Sequence, residues 1–477
     1  MVWETVIGIE THVQLSTKTK LFSRASTEFG KSPNTNVNLI DCGLPGVLPS
    51  VNKEAFYKAI RFGLAVGAKI NQTSIFDRKN YFYADLPKGY QITQMDLPIV
   101  LGGTLDIETE EGIKTVNITR AHLEEDAGKS IHDQFDGYSA IDLNRAGTPL
   151  LEIVSEPEIS SAKEAVAYMK AMHQLVTYLD VSDGNMSQGS LRCDANVSVR
   201  KVGDTELGTR TEIKNINSFR FVEKAINFEV KRQIKQLENG ETVTQETRLY
   251  DSIKDETRPM RSKEFANDYR YFPEPDLVPV TVTEEQVNEI RSAMGEPPSV
   301  LRKTLADRWK IPANDAGVLV NQGPELVRYF EDLATRVGEG KVASNWMQQD
   351  VLRTLNERGG NITDFPVRPE AVADIIARVQ KGDFDTSRGR EIFASVVEKG
   401  ASVAEVVAGM GIAAVDDGDL RALCEELIAE NPKIVADVKG GKEQAAGGLI
   451  GKAKRKNPNV NPAKVRALAI ELIQALP

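Results

Sequence analysis

Short segments in the first half of this chain alternate strictly between apolar and polar residues, and this alternation limits the possible folds most. The clearest segment interleaves two sets of residues: Leu191, Cys193, Ala195, Val197 and Val199 with Arg192, Asp194, Asn196, Ser198 and Arg200. Successive side chains of a strand point to opposite faces, so this segment predicts a strand with one face on the core. Residues 3–14, 115–124 and 208–216 repeat the pattern, which predicts an antiparallel sheet with one free face.

Helical signals interrupt the strands and then replace them. Ser161, followed three residues later by Glu164, is the signature of a capping box at a helix start. A second helix is predicted from about Ser218 to Leu237, ending near Gly240. Helix-forming sequence dominates from about residue 284 onwards. The predicted fold class is therefore α+β, with a sheet domain over 1–290, an all-α helical domain over 291–400 and a small helical tail domain over 401–477.

Charge, cysteines and missing motifs exclude several classes of protein. The net charge of −10 counts mildly against a protein that coats nucleic acid but does not exclude one, because the electrostatic footprint is local. Cys42, Cys193 and Cys424 stand too far apart for a disulfide framework or a CxxC metal site, which favours a reducing, cytoplasmic setting. No stretch approaches the roughly 18 apolar residues of a spanning helix, so we expect no membrane association. No Walker A, dinucleotide-binding or HExxH motif is present.

The free face of the predicted sheet carries ionisable residues on four strands: Glu10 and His12; His122, Glu124 and Glu125; Arg192 and Asp194; Arg210, Glu212 and Lys214. Carboxylates suit hard cations such as Mg²⁺, which also bind substrate phosphates. Arg and Lys stabilise the charge of a transferring phosphoryl group. The mixture predicts an ATP–Mg²⁺ site without a P-loop. The solvated face of an antiparallel sheet shows the same alternation, so the pattern alone leaves both interpretations open.

The strand predicted over 115–124 ends in Glu124, directly before Glu125. Simple alternation places five of its side chains on one side: Val116, Ile118, Arg120, His122 and Glu124.

Near the C-terminus, the most basic run of the chain includes Lys452, Lys454, Arg455 and Lys456 without an acidic residue. By itself this run is typical of a solvated basic loop.

Long, ordered motifs of the first 280 residues resemble those of the B subunits of aspartyl/glutamyl-tRNA amidotransferases. They include Val6-Ile-Gly-Ile-Glu-Thr-His-Val-Gln-Leu15, Arg78-Lys-Asn-Tyr-Phe-Tyr-Ala-Asp-Leu-Pro-Lys-Gly-Tyr-Gln91, His122-Leu-Glu-Glu-Asp-Ala-Gly-Lys129, Asp142-Leu-Asn-Arg-Ala-Gly-Thr-Pro-Leu-Leu-Glu-Ile-Val154, Gly189-Ser-Leu-Arg-Cys-Asp-Ala-Asn-Val-Ser-Val-Arg200, Thr211-Glu-Ile-Lys-Asn-Ile-Asn-Ser-Phe-Arg220 and Asp268-Tyr-Arg-Tyr-Phe-Pro-Glu-Pro-Asp276. The resemblance implies a glutamine-synthetase-like cradle domain, a helical domain and a tail domain that meets tRNA.

The same resemblance implies an activity and partners. ATP would phosphorylate the side-chain carboxylate of Glu-tRNA(Gln) or Asp-tRNA(Asn), and ammonia would then displace the phosphate. Ammonia would come through a channel from a glutaminase (amidase) A subunit, in a heterotrimer completed by a small C subunit. Two rivals remain open: a ligase that amidates a small free carboxylate, and a scaffold that only presents tRNA.

Residue roles follow from the motifs that carry them. The resemblance implies Mg²⁺ binding by Glu10, His12, Glu124 and Glu125. It implies that Glu125 and Lys88 lie at the channel mouth, and that Asp194 and Glu212 complete the metal–phosphate shell. It implies phosphate or acyl-phosphate contacts for Arg192, Arg210 and Lys214. The basic run Lys452, Lys454, Arg455 and Lys456 is then expected to touch tRNA phosphates.

One departure from the family concerns zinc. Many relatives carry a four-cysteine zinc knuckle in the early loop, whereas this chain has Ser23, Ala25, Asn38 and Asp41 at the corresponding positions. Cys42 lies one place away and cannot bind zinc alone. We therefore expect no zinc, and a loop that packing holds in place.

Overall fold

One large sheet organises the first compact unit of the chain, residues 1–300, in the computed structural model. The structure describes residues 2–132, 137–260, 269–411, 417–457 and 459–476, so Asp268 of the last motif lies outside them. The strands are β1 (Trp3–Gln14), β2 (Lys69–Ile70), β3 (Thr73–Ser74), β4 (Asp77–Asn80), β5 (Tyr90–Thr93), β6 (Val100–Leu101), β7 (Thr104–Thr109), β8 (Gly112–Glu125), β9 (Lys129–Ile131), β10 (Ala140–Asp142), β11 (Pro149–Ser155), β12 (Leu191–Lys201), β13 (Thr211–Lys214), β14 (Glu246–Asp251), β15 (Glu256–Pro259), β16 (Phe272–Pro273) and β17 (Val280–Thr281).

Thirteen strands of the described residues form the main sheet, which is mixed and not purely antiparallel as predicted. The order along it is β15-β14-β13-β12-β1-β11-β8-β5-β4-β16. The exception to antiparallel pairing is β13 with β14. Parallel neighbours need a crossover of about a dozen residues or more, and a 20-residue helix, Phe219–Glu238, supplies it here. Alternation reveals which face of a strand is buried but not its direction, which explains the error.

Helices cover the apolar face of the sheet. They are α1 (Lys53–Ala65), α2 (Ala162–Tyr178), α3 (Phe219–Glu238) and α4 (Glu284–Met294). Their apolar side chains share one core with the inward residues of β1, β11 and β12, among them Ile7, Leu151 and Ala195. The opposite face of the central strands is left for polar side chains.

The caps of these helices agree only partly with the predicted signals. Ser161 caps α2 by accepting from the Glu164 N–H. The predicted reciprocal bond is absent among the described residues, because the Glu164 carboxylate accepts from the Ser160 N–H and from Lys114 instead. Ser218 caps α3, which ends at Glu238, just before Gly240, as expected.

A β-bulge divides β8 and corrects the predicted face of this strand. Val154 of β11 pairs with Arg120, but the next residue, Ser155, pairs with Ile118, so Thr119 is an extra residue. Val116 and Ile118 before the bulge, and Ala121 and Leu123 after it, all point into the core. His122 and Glu124 therefore lie on the polar face, opposite to Val116 and Ile118.

The second compact unit, residues 301–477, is helical throughout the part that the structure describes. Its helices are α5 (Pro298–Trp309), which begins just before the unit, α6 (Ala313–Asn321), α7 (Pro324–Val337), α8 (Gly340–Trp346), α9 (Arg353–Arg358), α10 (Pro369–Lys381), α11 (Thr386–Lys399), α12 (Val403–Gly409), α13 (Asp417–Glu430), α14 (Pro432–Lys439), α15 (Gly447–Lys456) and α16 (Pro462–Ala475). The helices from α13 onwards enclose a core of their own, with Leu427, Leu449 and Val465 at its centre. Across the described ranges, no helix combines the length and apolar character that a membrane crossing requires.

Candidate functional site

A continuous band of polar side chains crosses seven neighbouring strands of the main sheet, on the face opposite the helices. Strand register aligns these side chains from one strand to the next: Glu212 and Lys214 on β13; Asp194 and Arg192 on β12; Glu10 and His12 on β1; Glu152 on β11; His122 and Glu124 on β8; Thr93 on β5; and Lys79 on β4. We call this band the polar face. The sequence predicted the members on four of these strands, and the sheet order brings them together.

His12, Glu124 and Glu152 form the first cluster of the polar face. One ligand atom of each lies within 4.8 Å of the others. The Glu152 carboxylate is 3.6 Å from His12 Nε2 and 3.4 Å from His122 Nε2. Glu124 lies 3.8 Å from His122 and accepts from the Thr93 hydroxyl at 3.3 Å. All four ionisable side chains are largely buried, so their charges interact strongly.

Burial and opposite charges shift the titration of this first cluster. Burial lowers the pKa of His122, but the opposite effect of Glu152 and Glu124 is larger and raises this pKa to about 9. The pKa of His12 is also raised because the effect of Glu152 exceeds that of burial. Burial raises the pKa of Glu152, yet the two imidazoles hold it well below its ordinary value. Without a metal ion, the histidines therefore act as the counter-charges of these carboxylates.

Glu10, Asp194 and Glu212 form the second cluster, on three adjacent strands. Their carboxylate oxygens also lie within 4.8 Å of one another. Lys214 Nζ bridges two of them, at 2.7 Å from Asp194 and 2.8 Å from Glu212. The Asn196 amide donates to Glu10 at 2.8 Å.

The second cluster has the chemistry of a divalent-cation site. Burial raises the pKa of Glu10, and the charges of Glu152, Glu212 and Asp194 raise it further. Such mutual repulsion is removed when a cation binds between carboxylates, and an all-oxygen set suits Mg²⁺. The first cluster adds an imidazole nitrogen to two carboxylates, a set that also accepts divalent metals. The all-oxygen second cluster therefore fits the predicted Mg²⁺, whereas the first cluster offers two carboxylates beside an imidazole, a ligand that transition metals prefer.

Glu125 does not join either carboxylate cluster. It follows Glu124 on β8, so its side chain leaves the strand on the other side. Its carboxylate accepts from the Ile92 N–H at 2.9 Å and forms a buried ion pair with Lys88. The structure thus brings Glu125 together with Lys88, but not with Glu10 and His12.

The predicted phosphate-binding cations are mostly engaged with carboxylates. Arg192 donates to Asp126 at 2.8 Å, and Arg145 and Gln14 contact the same carboxylate. Burial raises the pKa of Asp126, but the two guanidinium groups lower it below its ordinary value. The Arg192 Nε–H is buried without a hydrogen-bond partner among the described residues. Arg210 is exposed and lies just before β13.

The sequence interpretation assigned no role to three residues of this region: Glu152, Asp126 and Lys79. Each lies inside a motif that carried the family resemblance. Glu152 has an alternation signal as well, since Leu151 and Ile153 on either side of it are buried. Only the register of β11 against β1 and β8 reveals that Glu152 stands between two histidines.

The basic run near the C-terminus lies on and around α15. Lys454 forms an ion pair with Asp385, and Lys452 donates to the Asn431 side chain. Lys456 lies 2.8 Å from Glu430 and 3.0 Å from Glu426. Arg455 is exposed and forms no ion pair with the described residues. The run is therefore a partly neutralised helix surface and not a free loop.

A buried ion pair holds the early loop in which the family's zinc cysteines are absent. Lys20 Nζ lies 3.0 Å from the Asp41 carboxylate, and both side chains are buried. Asp41 also accepts from the Asn38 N–H at 2.8 Å. Two of the positions discussed for zinc thus contribute to one hydrogen-bonded turn.

Comparisons with known proteins agree on one family. The family described as "GatB/GatE catalytic domain" matches residues 5–288, and that described as "GatB domain" matches residues 328–473. Three similar curated proteins carry the name of the B subunit of an aspartyl/glutamyl-tRNA(Asn/Gln) amidotransferase. The protein of Bordetella petrii is 52% identical and the match covers 98% of this chain and 99% of that protein. Those of Alkalilimnicola ehrlichii and Neisseria meningitidis serogroup B are 50% and 49% identical, with 100% and 98% of this chain and 100% and 99% of those proteins covered.

Proposed function

The chain belongs to the family of aspartyl/glutamyl-tRNA(Asn/Gln) amidotransferase B subunits, and from this premise we propose that its polar face performs the ATP-dependent amidation of misacylated tRNA. The enzyme is a glutamine-hydrolysing carbon–nitrogen ligase, of which this chain is the B subunit. The observation that carries the proposal is the pair of carboxylate clusters on one face of the sheet, beside cationic side chains.

The chemistry proceeds in two balanced steps. An oxygen of the side-chain carboxylate of Glu or Asp on the tRNA attacks the γ-phosphorus of ATP, and the bond to the β-phosphate oxygen breaks to release ADP. Ammonia then attacks the acyl carbon, the carbon–oxygen bond breaks, and phosphate leaves with a proton from the nitrogen. Activation is needed because a carboxylate is a poor acyl donor, whereas an acyl phosphate carries a good leaving group.

The two clusters are the proposed positions of Mg²⁺. Glu10, Asp194 and Glu212 would hold one ion, and His12, Glu124 and Glu152 a second. Bound Mg²⁺ supplies charge neutralisation to the phosphates of ATP. Arg192, Arg210 and Lys214 lie along the same face or beside it, where they oppose the charge of the transferring phosphoryl group.

Ammonia is proposed to enter beside Lys88 and Glu125. Their buried ion pair supports this assignment, because it lies next to the metal-binding residues without belonging to them. A glutaminase A subunit would supply ammonia, and a small C subunit would complete a heterotrimer. We infer a cytoplasmic complex, since all three cysteines are free.

The proposed architecture is a glutamine-synthetase-like cradle over 1–290, a helical domain over 291–400 and a tRNA-binding tail over 401–477. The basic surface of α15 supports the tail assignment, with Lys452, Lys454, Arg455 and Lys456 as the phosphate contacts. We propose that the early loop needs no zinc, because the Lys20–Asp41 ion pair ties it together.

The test is amidation of Glu-tRNA(Gln) or Asp-tRNA(Asn) by the purified complex, with ammonium chloride in place of glutamine. Free ammonia bypasses the glutaminase partner, so the assay isolates the step assigned to this chain. Product should require Mg²⁺-ATP. Glu10→Gln and Glu124→Gln, one change in each cluster, should each lower the rate by about 100-fold or more, as losses of transition-state charge stabilisation do.

The matched control is Glu110→Gln. Glu110 lies away from the polar face, and its exposed carboxylate is 2.7 Å from Lys163 Nζ. It should leave the rate unchanged. If the cluster variants kept the wild-type rate with tRNA bound, the chain would be a scaffold and the polar face a solvated surface. Equal amidation of free glutamate would favour the small-substrate ligase instead.

A further inference from the structure

Lys79 stands at the β4 end of the polar face and has no role in the function described so far. Lys79 pairs with Gln91 of β5, and Thr93, two residues further on β5, pairs with Glu124 of β8. Side chains directly opposite each other, or two residues apart, share a face of a sheet. Lys79 therefore points to the same side as Glu124 and Glu152.

The Lys79 ammonium differs from the other cations of this face in having no ion pair with the described residues. Lys214 is held by two carboxylates, and Arg192 by Asp126. The acidic residues nearest to Lys79 already have partners: Glu152 contacts two imidazoles, and Glu124 contacts His122 and Thr93. Lys79 is thus a cation in the site to which no described residue offers a hydrogen-bond acceptor.

Aromatic rings hold the Lys79 side chain in position. Its Nζ atom lies 5.0 Å from the centroid of the Tyr269 ring and 6.0 Å from that of Tyr81. These two rings meet edge to face, with centroids 6.0 Å apart, and Tyr271 packs against Tyr269 in the same manner. Cation–π contacts stabilise the charge without consuming the three N–H donors.

The Lys79 amine stays protonated although its side chain is largely buried. Burial lowers its pKa, but the charges of Glu124 and Glu152, together with the nearby tyrosines, raise it above the ordinary value. A lysine that is fully protonated, fixed by rings and unpaired is suited to an incoming dianionic group. A metal bound at the first cluster would attract the same group.

We propose that Lys79, held over the rings of Tyr81 and Tyr269, binds the phosphoryl group that passes from ATP to the side-chain carboxylate. This inference rests on the proposed function and adds a phosphate-contacting residue to it. In the step, the carboxylate oxygen–phosphorus bond forms and the bond to the β-phosphate oxygen breaks. The ammonium donates hydrogen bonds to the non-bridging oxygens throughout and keeps its protons.

The experiment measures single-turnover formation of ADP by the purified complex with acylated tRNA and Mg²⁺-ATP, in the absence of any ammonia source. This isolates phosphoryl transfer from amidation. Lys79→Gln should slow ADP formation by about 100-fold, the usual loss for one preorganised charged donor. Lys79→Arg should recover at least about a tenth of the wild-type rate, because it restores the charge on a similar stem. The tRNA concentration that gives half of the maximal single-turnover rate should not change in either variant, which distinguishes a phosphate contact from a structural role.

Lys53 offers a matched control. Its Nζ atom lies 4.8 Å from the Tyr57 ring in the same type of contact, but on an exposed turn of α1. Lys53→Gln should leave ADP formation unchanged. Were Lys79→Gln to lose its cooperative thermal unfolding, Lys79→Met would replace it, because the thioether keeps the length and the apolar contacts with the rings.

The outcomes separate this inference from the proposed function. If wild type forms ADP, Glu124→Gln does not, and Lys79→Gln and Lys79→Met stay within twofold of wild type, then Lys79 does not bind the phosphoryl group although the site is correctly assigned. If wild type forms no ADP with bound tRNA, the proposed function itself fails and this inference fails with it. Equal losses in Lys79→Gln and Lys79→Arg would point to a packing role and also overturn the proposal.

Discussion

At the residue scale, a buried carboxylate of the sheet unit can be stabilised by several hydrogen-bond donors. Glu229 on α3 is an example away from the polar face. Its side chain is fully buried and accepts from Arg232, Gln233 and Thr257. Burial raises the pKa of Glu229, but the opposite effect of these hydrogen bonds is larger and brings this pKa below its ordinary value.

We predict that Glu229 makes the stability of the protein depend on pH in a defined window. A carboxylate with a depressed pKa stabilises the fold above its unfolded pKa of about 4.3, and this contribution is lost as pH falls from there through the folded value. Glu229→Gln should lower the free energy of unfolding by about 3 kcal/mol at pH 7, since one member of a buried pair is removed. The difference between wild type and variant should shrink between about pH 5 and pH 3.

Urea unfolding followed by circular dichroism at several pH values measures this difference. Glu28→Gln is the control, because Glu28 forms an exposed ion pair with Lys31 at 2.9 Å. It should unfold like wild type at every pH. A Glu229→Gln difference that stays constant down to pH 3 would contradict the assigned pKa direction.

At the scale of single elements, the bulge in β8 is what aims the acidic residues. Before the bulge, β8 buries Val116 and Ile118, and after it the strand buries Ala121 and Leu123. The extra residue, Thr119, absorbs the change of phase and is exposed at the surface, where it donates to Glu156 at 2.7 Å. If Thr119 were deleted, the four apolar residues would occupy every second position of a regular strand and would all face the core.

We predict that deletion of Thr119 is tolerated by the fold. The shortened strand would keep all four apolar side chains in the core, so the free energy of unfolding should fall by about 1 kcal/mol, the cost of a lost hydrogen bond. Deletion of Asn117 is the comparison. It would turn Val116 towards solvent, which adds about 1.5–3 kcal/mol for the exposed side chain.

Both deletions are measured by urea unfolding of the purified chain. If the Thr119 deletion destabilised the protein as strongly as the Asn117 deletion, the phase argument for the bulge would be wrong.

At the scale of the whole molecule, charge is distributed unevenly. The chain has a net charge of −10, yet the last turns of α15 are basic. Within the second unit, Asp385, Glu426 and Glu430 neutralise part of this charge. Arg455 has no such neutralising partner in the described part of the chain. Arg455 therefore presents a positive charge that carboxylates of the described residues do not neutralise.

We predict that Arg455→Gln weakens tRNA binding several-fold at low salt and reduces the slope of log affinity against log salt by about one, as the loss of one phosphate contact does. The thermal transition should not move, because Arg455 is exposed. Filter binding over a salt series measures both quantities. Arg421→Gln is the control, since Arg421 on α13 is paired with Glu425 at 3.3 Å and its charge is already compensated. Unchanged salt dependence in Arg455→Gln would show that Arg455 does not contact tRNA phosphate.

The order of residues along the chain was sufficient to identify β1 and β12 and their buried sides, but not the bulge that changes the buried side of β8. Every second side chain from Leu191 to Val199 and from Ile7 to Val13 faces the core, as alternation predicted, because such burial is a local property of a strand. The cap at Ser161 was also visible, since a capping side chain bonds only to its own helix turn. Motifs identified the family through long identical strings.

Tertiary structure alone decided which of these residues meet. The parallel pairing of β13 with β14 and the bulge at Thr119 depend on partners distant in sequence, which no local pattern encodes. Glu152 stands between two histidines, and Glu125 pairs with Lys88, because strand register brings together side chains more than 25 residues apart. Local alternation determined which side chains leave the sheet on the polar side, and only the register across strands determined their partners.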